Sequence, residues 1–265
     1  MNILITKKED LWKGTPETFP KNSSQGLWRT HSDSVNKALL LRWWPIDGVE
    51  RLLKTDLFDE AVNDGLHPLL AARANHVFGM DISFPVAYQA QLRYPNFQTI
   101  GGDVRFLPFI GDSFDLIVSN STLDHFASIE EIILSLNELR RVLRPGKQMV
   151  LTFDNLANPI VLLRNILPFK FLHRLGIVPY YVGTTLGPSL LEHLLETSGF
   201  KILEVDAIMH CPRVLAVVAA RWMQKHTGPK VQGHFLRFLQ AFECLSYLPT
   251  RFLTGYFVAV RVMKR

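Results

Sequence analysis

Between residues 49 and 154 the chain switches repeatedly between two hydrophobic periods, and no other feature constrains its fold as much. Apolar runs of strand length alternate with segments of helical period. Residues 49–58 (VERLLKTDLF) read as a strand and 65–75 as a helix, with Pro68 tolerable in its first turn. Residues 77–82 read as a strand, 84–93 as a helix, and 97–100 and 114–119 (FDLIVS) as strands. An amphipathic helix over 129–143 stops at Arg144-Pro145-Gly146, and a strand follows over 148–153. Strands with no polar face need cover on both sides, which predicts a parallel sheet between two helical layers. The expected class is α/β, doubly wound.

The ends are less regular. Residues 1–48 read as a polar, turn-rich arm followed by a helix, which Asp33 or Ser34 caps and Pro45 ends. Residues 49–154 form the expected cofactor-binding core. Residues 155–265 are more apolar. They hold an interrupted stretch to 187, a helix over 188–197, a strand over 201–208, two or three helices within 212–253 and a strand over 256–263. The last two strands complete a mostly parallel sheet of the same domain, and the helical insertion is expected to act as a lid.

Composition narrows the class. With 48% hydrophobic and 20% charged residues the chain is no disordered or low-complexity protein. The balance of 29 Lys+Arg against 24 Asp+Glu is too dilute to argue for nucleic acid. Cys211 and Cys244 form no disulfide framework, and no His or Cys spacing suggests a metal. No uninterrupted apolar run reaches spanning length, and residues 1–10 do not read as a signal peptide. A cytoplasmic, reducing location is expected.

In a doubly wound sheet, ligands bind beyond the carboxyl ends of the strands. After the first strand, Asp59, Ala61, Asn63 and Gly65 stand at alternate positions, as small or turn-tolerant residues would beside a cofactor. Their other reading is an ordinary acidic loop. After the second strand, Asp81 can accept from both hydroxyls of a ribose, or cap the next helix. After the third, Asp103 can accept from an exocyclic amine, or serve as a turn residue behind Gly101-Gly102. After the fourth come Asn120 and His125.

The segments GMDIS, GDVRFLPF, DSFDLIVSNSTLDHF and ELRRVLRPGKQMVLTFDN, in that order, resemble the class I S-adenosylmethionine-dependent methyltransferases, in their small-molecule, type 11-like branch. The resemblance covers residues 49–154 and, more weakly, 188–208. It implies a Rossmann-like seven-stranded sheet and S-adenosylmethionine as cofactor. In that family the first loop is an acid followed by glycines at alternate positions. Asp59, Ala61, Asn63 and Gly65 match that register with only the last glycine kept, and Asp56 rivals Asp59 if the register shifts. The resemblance places Asp81 on the ribose diol, with Ile82 beside it. Asp103 and the Val104 N–H go to the adenine, and Asn120 to the methionine end. His125 becomes a candidate general base, or a loop histidine packed against the cofactor. His210, at the end of a C-terminal strand, is a second candidate base.

The expected reaction is methyl transfer to a small, apolar, aromatic or lipid-like acceptor, held by the parts outside the common core. Their basic residues, including Arg164, Lys170, Arg174, Arg213, Arg221 and Lys225, suit an anionic acceptor, a peripheral membrane contact or plain solvation. No nucleic-acid partner is expected, and a monomer and a homodimer both stay open. Two rivals remain. One is a methyltransferase-like binding or regulatory protein, suggested by the glycine-poor first loop. The other is a nicotinamide-dependent oxidoreductase, whose Gly-x-Gly-x-x-Gly residues 59–66 do not supply.

Overall fold

A computed structural model describes residues 26–168, 174 and 183–265. Most of the expected N-terminal arm lies outside the described residues, as does Lys170 with most of its surrounding apolar stretch.

One sheet holds β1 (Val49–Thr55), β2 (Ala74–Asp81), β3 (Gln98–Gly101), β4 (Phe114–Asn120), β5 (Leu143–Asp154), β6 (Phe200–Ile208) and β7 (Phe257–Lys264). The order is β3-β2-β1-β4-β5-β7-β6. β1 to β5 pair in parallel, and β7 runs antiparallel between β5 and β6. A dinucleotide-binding sheet runs 3-2-1-4-5-6. The antiparallel β7 lying between β5 and β6 departs from that order.

The helices are α1 (Gly26–Arg42), α2 (Phe58–Val62), α3 (His67–Ala71), α4 (Phe84–Arg93), α5 (Ile129–Val142), α6 (Pro159–Ile166), α7 (Pro188–Thr197), α8 (Arg213–His226), α9 (Pro229–Ala241) and α10 (Arg251–Thr254). Successive strand residues point to opposite faces, so the apolar strands feed two cores. Leu52, Leu116, Val118 and Val150 join the core under α1, α4, α8 and α9. Leu53, Ile117, Met149 and Leu151 join the core under α5 and α7. α5 shows how sequence sets such a helix. Ser128 Oγ accepts from the Glu131 N–H, acids fill the first turn and Arg140 and Arg141 the last. Its buried Ile132, Leu136 and Leu139 each contribute about 1.5–3 kcal/mol of burial.

Several boundaries differ from expectation. α1 already runs from Gly26, so Asp33 and Ser34 lie inside it and do not cap it. β1 stops at Thr55, because Asp56 takes a positive φ of 66° that no strand residue adopts. The helix expected over 65–75 is replaced by α2 and α3, with Gly65 at φ 57° between them. β5 begins at Leu143, ahead of the Pro-Gly pair.

α8 and α9 pack on α1: the Leu27 N–H donates to Gln224 Oε1 at 3.3 Å, and Ser34 Oγ to Gln240 Oε1 at 3.5 Å. Among the described residues no helix is long and apolar enough to cross a membrane.

Candidate cofactor site

A cavity of about 680 Å3 opens at the carboxyl ends of β1 to β4. Its described wall comes entirely from residues 55–131, including Asp56, Asp81, Asp103, Thr122 and His125.

The floor is set where β1 ends. Thr55 Oγ1 donates to Ser119 Oγ at 2.9 Å, joining the ends of β1 and β4. Asp56 then turns the chain, and its Oδ1 accepts from the Phe58 N–H at 2.9 Å, which starts α2. Just before it, the buried Lys54 ammonium lies 2.9 Å from Glu60 and donates to the Asp56 carbonyl oxygen. Glu60 Oε1 accepts from the Leu66 N–H at 2.8 Å. The first loop is therefore fixed by a buried ion pair and an aspartate turn, where glycines were expected.

Asp81 ends β2 and faces this turn. One carboxylate oxygen accepts from the Leu57 N–H and the other from the Ser83 N–H, both at 2.8 Å. Burial pushes its pKa up against the pull of these two donors. Burial also pushes Asp56 up to about 7; the adjacent Asp81 adds to this and Lys54 opposes it. For Lys54 burial acts against the charged form, but Glu60 and Asp56 outweigh it and raise its pKa. Two carboxylates, Asp56 and Asp81, thus line this end of the cavity, with the Lys54–Glu60 pair behind them.

Asp103, after β3, is held by Arg105, whose Nε lies 3.0 and 2.9 Å from its two oxygens. The same guanidinium reaches Glu131 of α5 at 2.5 Å and lies 5.0 Å from the centre of the Phe126 ring. Val104 is buried, while Ile82 is exposed; both border the cavity. His125 ends a short 3-10 turn over Leu123–His125 and also borders it.

Other expected residues sit elsewhere. Asp59 lies inside α2, ion-paired with Arg29. Ala61 packs on the core under α1, and Asn63 Nδ2 donates to Asp33 Oδ2 at 3.5 Å. Gly65 faces Glu60: a Cβ there would stand 2.5 Å from Glu60 Oε1. None of these four borders the cavity, because β1 ends three residues earlier than their register assumed. Asn120 Nδ2 donates to Asn36 Oδ1 of α1 at 2.9 Å, and Thr122 takes the wall position instead. His210 is buried, with Nδ1 2.7 Å from Thr254 Oγ1 and Nε2 2.9 Å from the Ala207 carbonyl oxygen. Both ring nitrogens are engaged in the C-terminal segment, away from the cavity.

Sequence reasoning kept Asp56 as a rival and did not single out Phe58, Arg105, Thr122 or Phe126. The available signal for Asp56 was its residue type, since Asp tolerates a left-handed turn better than most residues.

Residues 62–151 match the family model described as a methyltransferase domain. A Mycolicibacterium smegmatis protein, described as a probable S-adenosylmethionine-dependent methyltransferase, is 25% identical over 73% of this chain and 66% of its own length. A malonyl-acyl-carrier-protein O-methyltransferase of Erwinia billingiae is 37% identical over 79 residues, 30% of each chain. In fold, the chain is similar to the N-methyltransferase NodS of Bradyrhizobium japonicum, solved with S-adenosylhomocysteine. The TM-score is 0.54 at 11% identity, covering 97% of each chain. Residues 62–151 thus match a methyltransferase domain, and the chain, with its strand order and acid-lined cavity, is similar to S-adenosylmethionine-dependent methyltransferases.

Proposed function

We propose that the protein transfers the methyl group of S-adenosylmethionine to a small, apolar, aromatic or lipid-like acceptor. The observation that carries this reading is the cavity at the ends of β1 to β4, with Asp81 at the end of β2 and Asp103 just beyond β3. Each Asp81 oxygen accepts one backbone N–H and keeps a lone pair for a ribose hydroxyl. Asp103, held by Arg105, accepts from the adenine amine, with the Val104 N–H beside the base. Asp56 and Thr122 stand at the methionine end.

When bound, S-adenosylmethionine supplies a methyl on a cationic sulfur, ready for in-line displacement. The chain's part is positioning, which is worth about 7–11 kcal/mol at best. His125 borders the cavity and is the candidate to take the acceptor's proton. Next to His125, the Thr184 N–H donates to the Phe126 carbonyl oxygen at 2.6 Å, which brings this segment beside the His125 loop. A Cβ at Gly183 would stand 2.2 Å from that oxygen, so the returning chain presses on the His125 loop. The exposed free thiol of Cys244 fits a reducing cytoplasm.

Calorimetry tests the reading. Micromolar binding of S-adenosylhomocysteine with no binding of NADH is expected; tighter binding of NADH would sink it.

A second reading rests on the first loop, where Asp56, Phe58 and Glu60 stand at alternate positions. On it the protein neither takes up S-adenosylmethionine nor transfers its methyl, and serves as a binding or regulatory module. No heat at millimolar S-adenosylmethionine would favour this reading.

A further inference from the structure

We propose that the outer face of α8 and α9 docks on an anionic lipid bilayer. On α8 the inward positions are small: Ala216 and Ala220 are buried against the α1 side. Leu215, Val218 and Trp222 fall on the opposite side at spacings of three and four, and are 70%, 60% and 56% exposed. On α9, Leu239 is buried, while Val231 and Phe238, seven apart on one face, are 46% and 59% exposed. Both helices pack on α1 and on each other, and these exposed residues lie off the sides that Ala216, Ala220 and Leu239 bury. Apolar side chains scattered singly need no explanation, but a row spanning two helices marks an interface.

Charge selects the occupant. Between Asp206 and Glu243 there is no acidic residue, and there are five basic ones: Arg213, Arg221, Lys225, Lys230 and Arg237. The remaining 24 basic and 24 acidic residues cancel, so the whole net charge of +5 belongs to this segment. Arg213 lies over the Tyr256 ring, while Arg221, Lys225, Lys230 and Arg237 are exposed on the same two helices. A second copy would bring like charge onto like charge. A phosphate backbone has no use for exposed Leu, Val and Phe. An anionic bilayer takes both: headgroups meet the cations, and Trp222 and Phe238 enter the interfacial zone. Among the described residues no helix is long and apolar enough to cross a membrane, and the attachment proposed is peripheral and salt-sensitive.

The test is co-sedimentation of the full chain with vesicles of equal parts phosphatidylglycerol and phosphatidylcholine, against phosphatidylcholine alone. The expected result is sedimentation with the anionic vesicles and release by added salt. A Lys225→Glu/Lys230→Glu variant should bind at least about tenfold more weakly. Trp222→Ser/Phe238→Ser should lose a similar factor, and both variants should keep the wild-type melting temperature and S-adenosylhomocysteine affinity. No sedimentation, or equal partition onto uncharged vesicles, overturns the proposal. So does a self-associated species that Trp222→Ser dissociates, or tight binding to an acidic protein with no vesicle binding. The proposal is independent of methyl transfer: loss of S-adenosylhomocysteine binding with vesicle binding intact would count against that reading alone.

Discussion

The Lys54 ammonium lies 2.9 Å from a Glu60 carboxylate oxygen, and both side chains are buried. Such a pair tolerates replacement as a unit far better than loss of one member. Glu60→Gln leaves the Lys54 charge buried with only partial compensation. It should cost about 3 kcal/mol or more, read from urea unfolding. Lys54→Met/Glu60→Leu should cost less than that single change. A double variant as damaged as Glu60→Gln would show that the loop depends on something other than paired charge.

Asp81 supports the site twice, tying the Leu57 and Ser83 amides and offering its remaining lone pairs to a diol. Asp81→Ala should abolish S-adenosylhomocysteine binding by calorimetry, with a smaller loss of stability. Affinity close to wild type would place the ribose elsewhere.

Asp56 titrates at about 7 in the folded chain, against 3.8 for an ordinary aspartate. The folded state therefore holds a proton that the unfolded chain has released between these values. Its contribution to stability is full below about pH 4 and is lost as pH rises through about 7. Asp56→Asn removes this dependence. The difference in melting temperature should shift in favour of the variant over that window. A gap that stays flat or shifts toward the wild type would refute the assignment.

His210 and His125 separate structure from chemistry. His210 has both ring nitrogens engaged in the buried C-terminal segment. His210→Gln should lower stability by about 1–3 kcal/mol and leave S-adenosylhomocysteine affinity unchanged. His125 borders the cavity, and His125→Ala should alter the pH dependence of turnover once an acceptor is in hand. If His210→Gln shifted that profile instead, the two roles would be exchanged.

How much the sequence discloses varies with the physics involved. β4 carries Phe114, Leu116, Ile117 and Val118 with no exposed face and is buried from Phe114 to Ser119, so its run could only be an inner strand. Asp81 and Asp103 follow strand-length segments, and their placement at strand ends came with that. The first loop was opaque for a specific reason. Leu57 and Phe58 continue an apolar run, and hydropathy does not register the positive φ of Asp56 that ends the strand before them. The orientation of the C-terminal helices was not legible. Their apolar surplus suggested a cover for the acceptor, but periodicity does not say which side of a helix faces in. On α8 the small Ala216 and Ala220 face inward and the bulky Leu215 and Trp222 outward. The composition is the same either way.

The contact between Gly65 and Glu60 bears on how this loop can change. Any side chain at Gly65 meets the Glu60 carboxylate, and any loss of Glu60 strands Lys54. The three positions behave as one heritable unit. A stepwise path toward a glycine-rich loop first passes through a variant carrying a lone buried charge, so exchange here has to be concerted. Lineages descending from this sequence should keep Lys54, Glu60 and Gly65 together or replace them together.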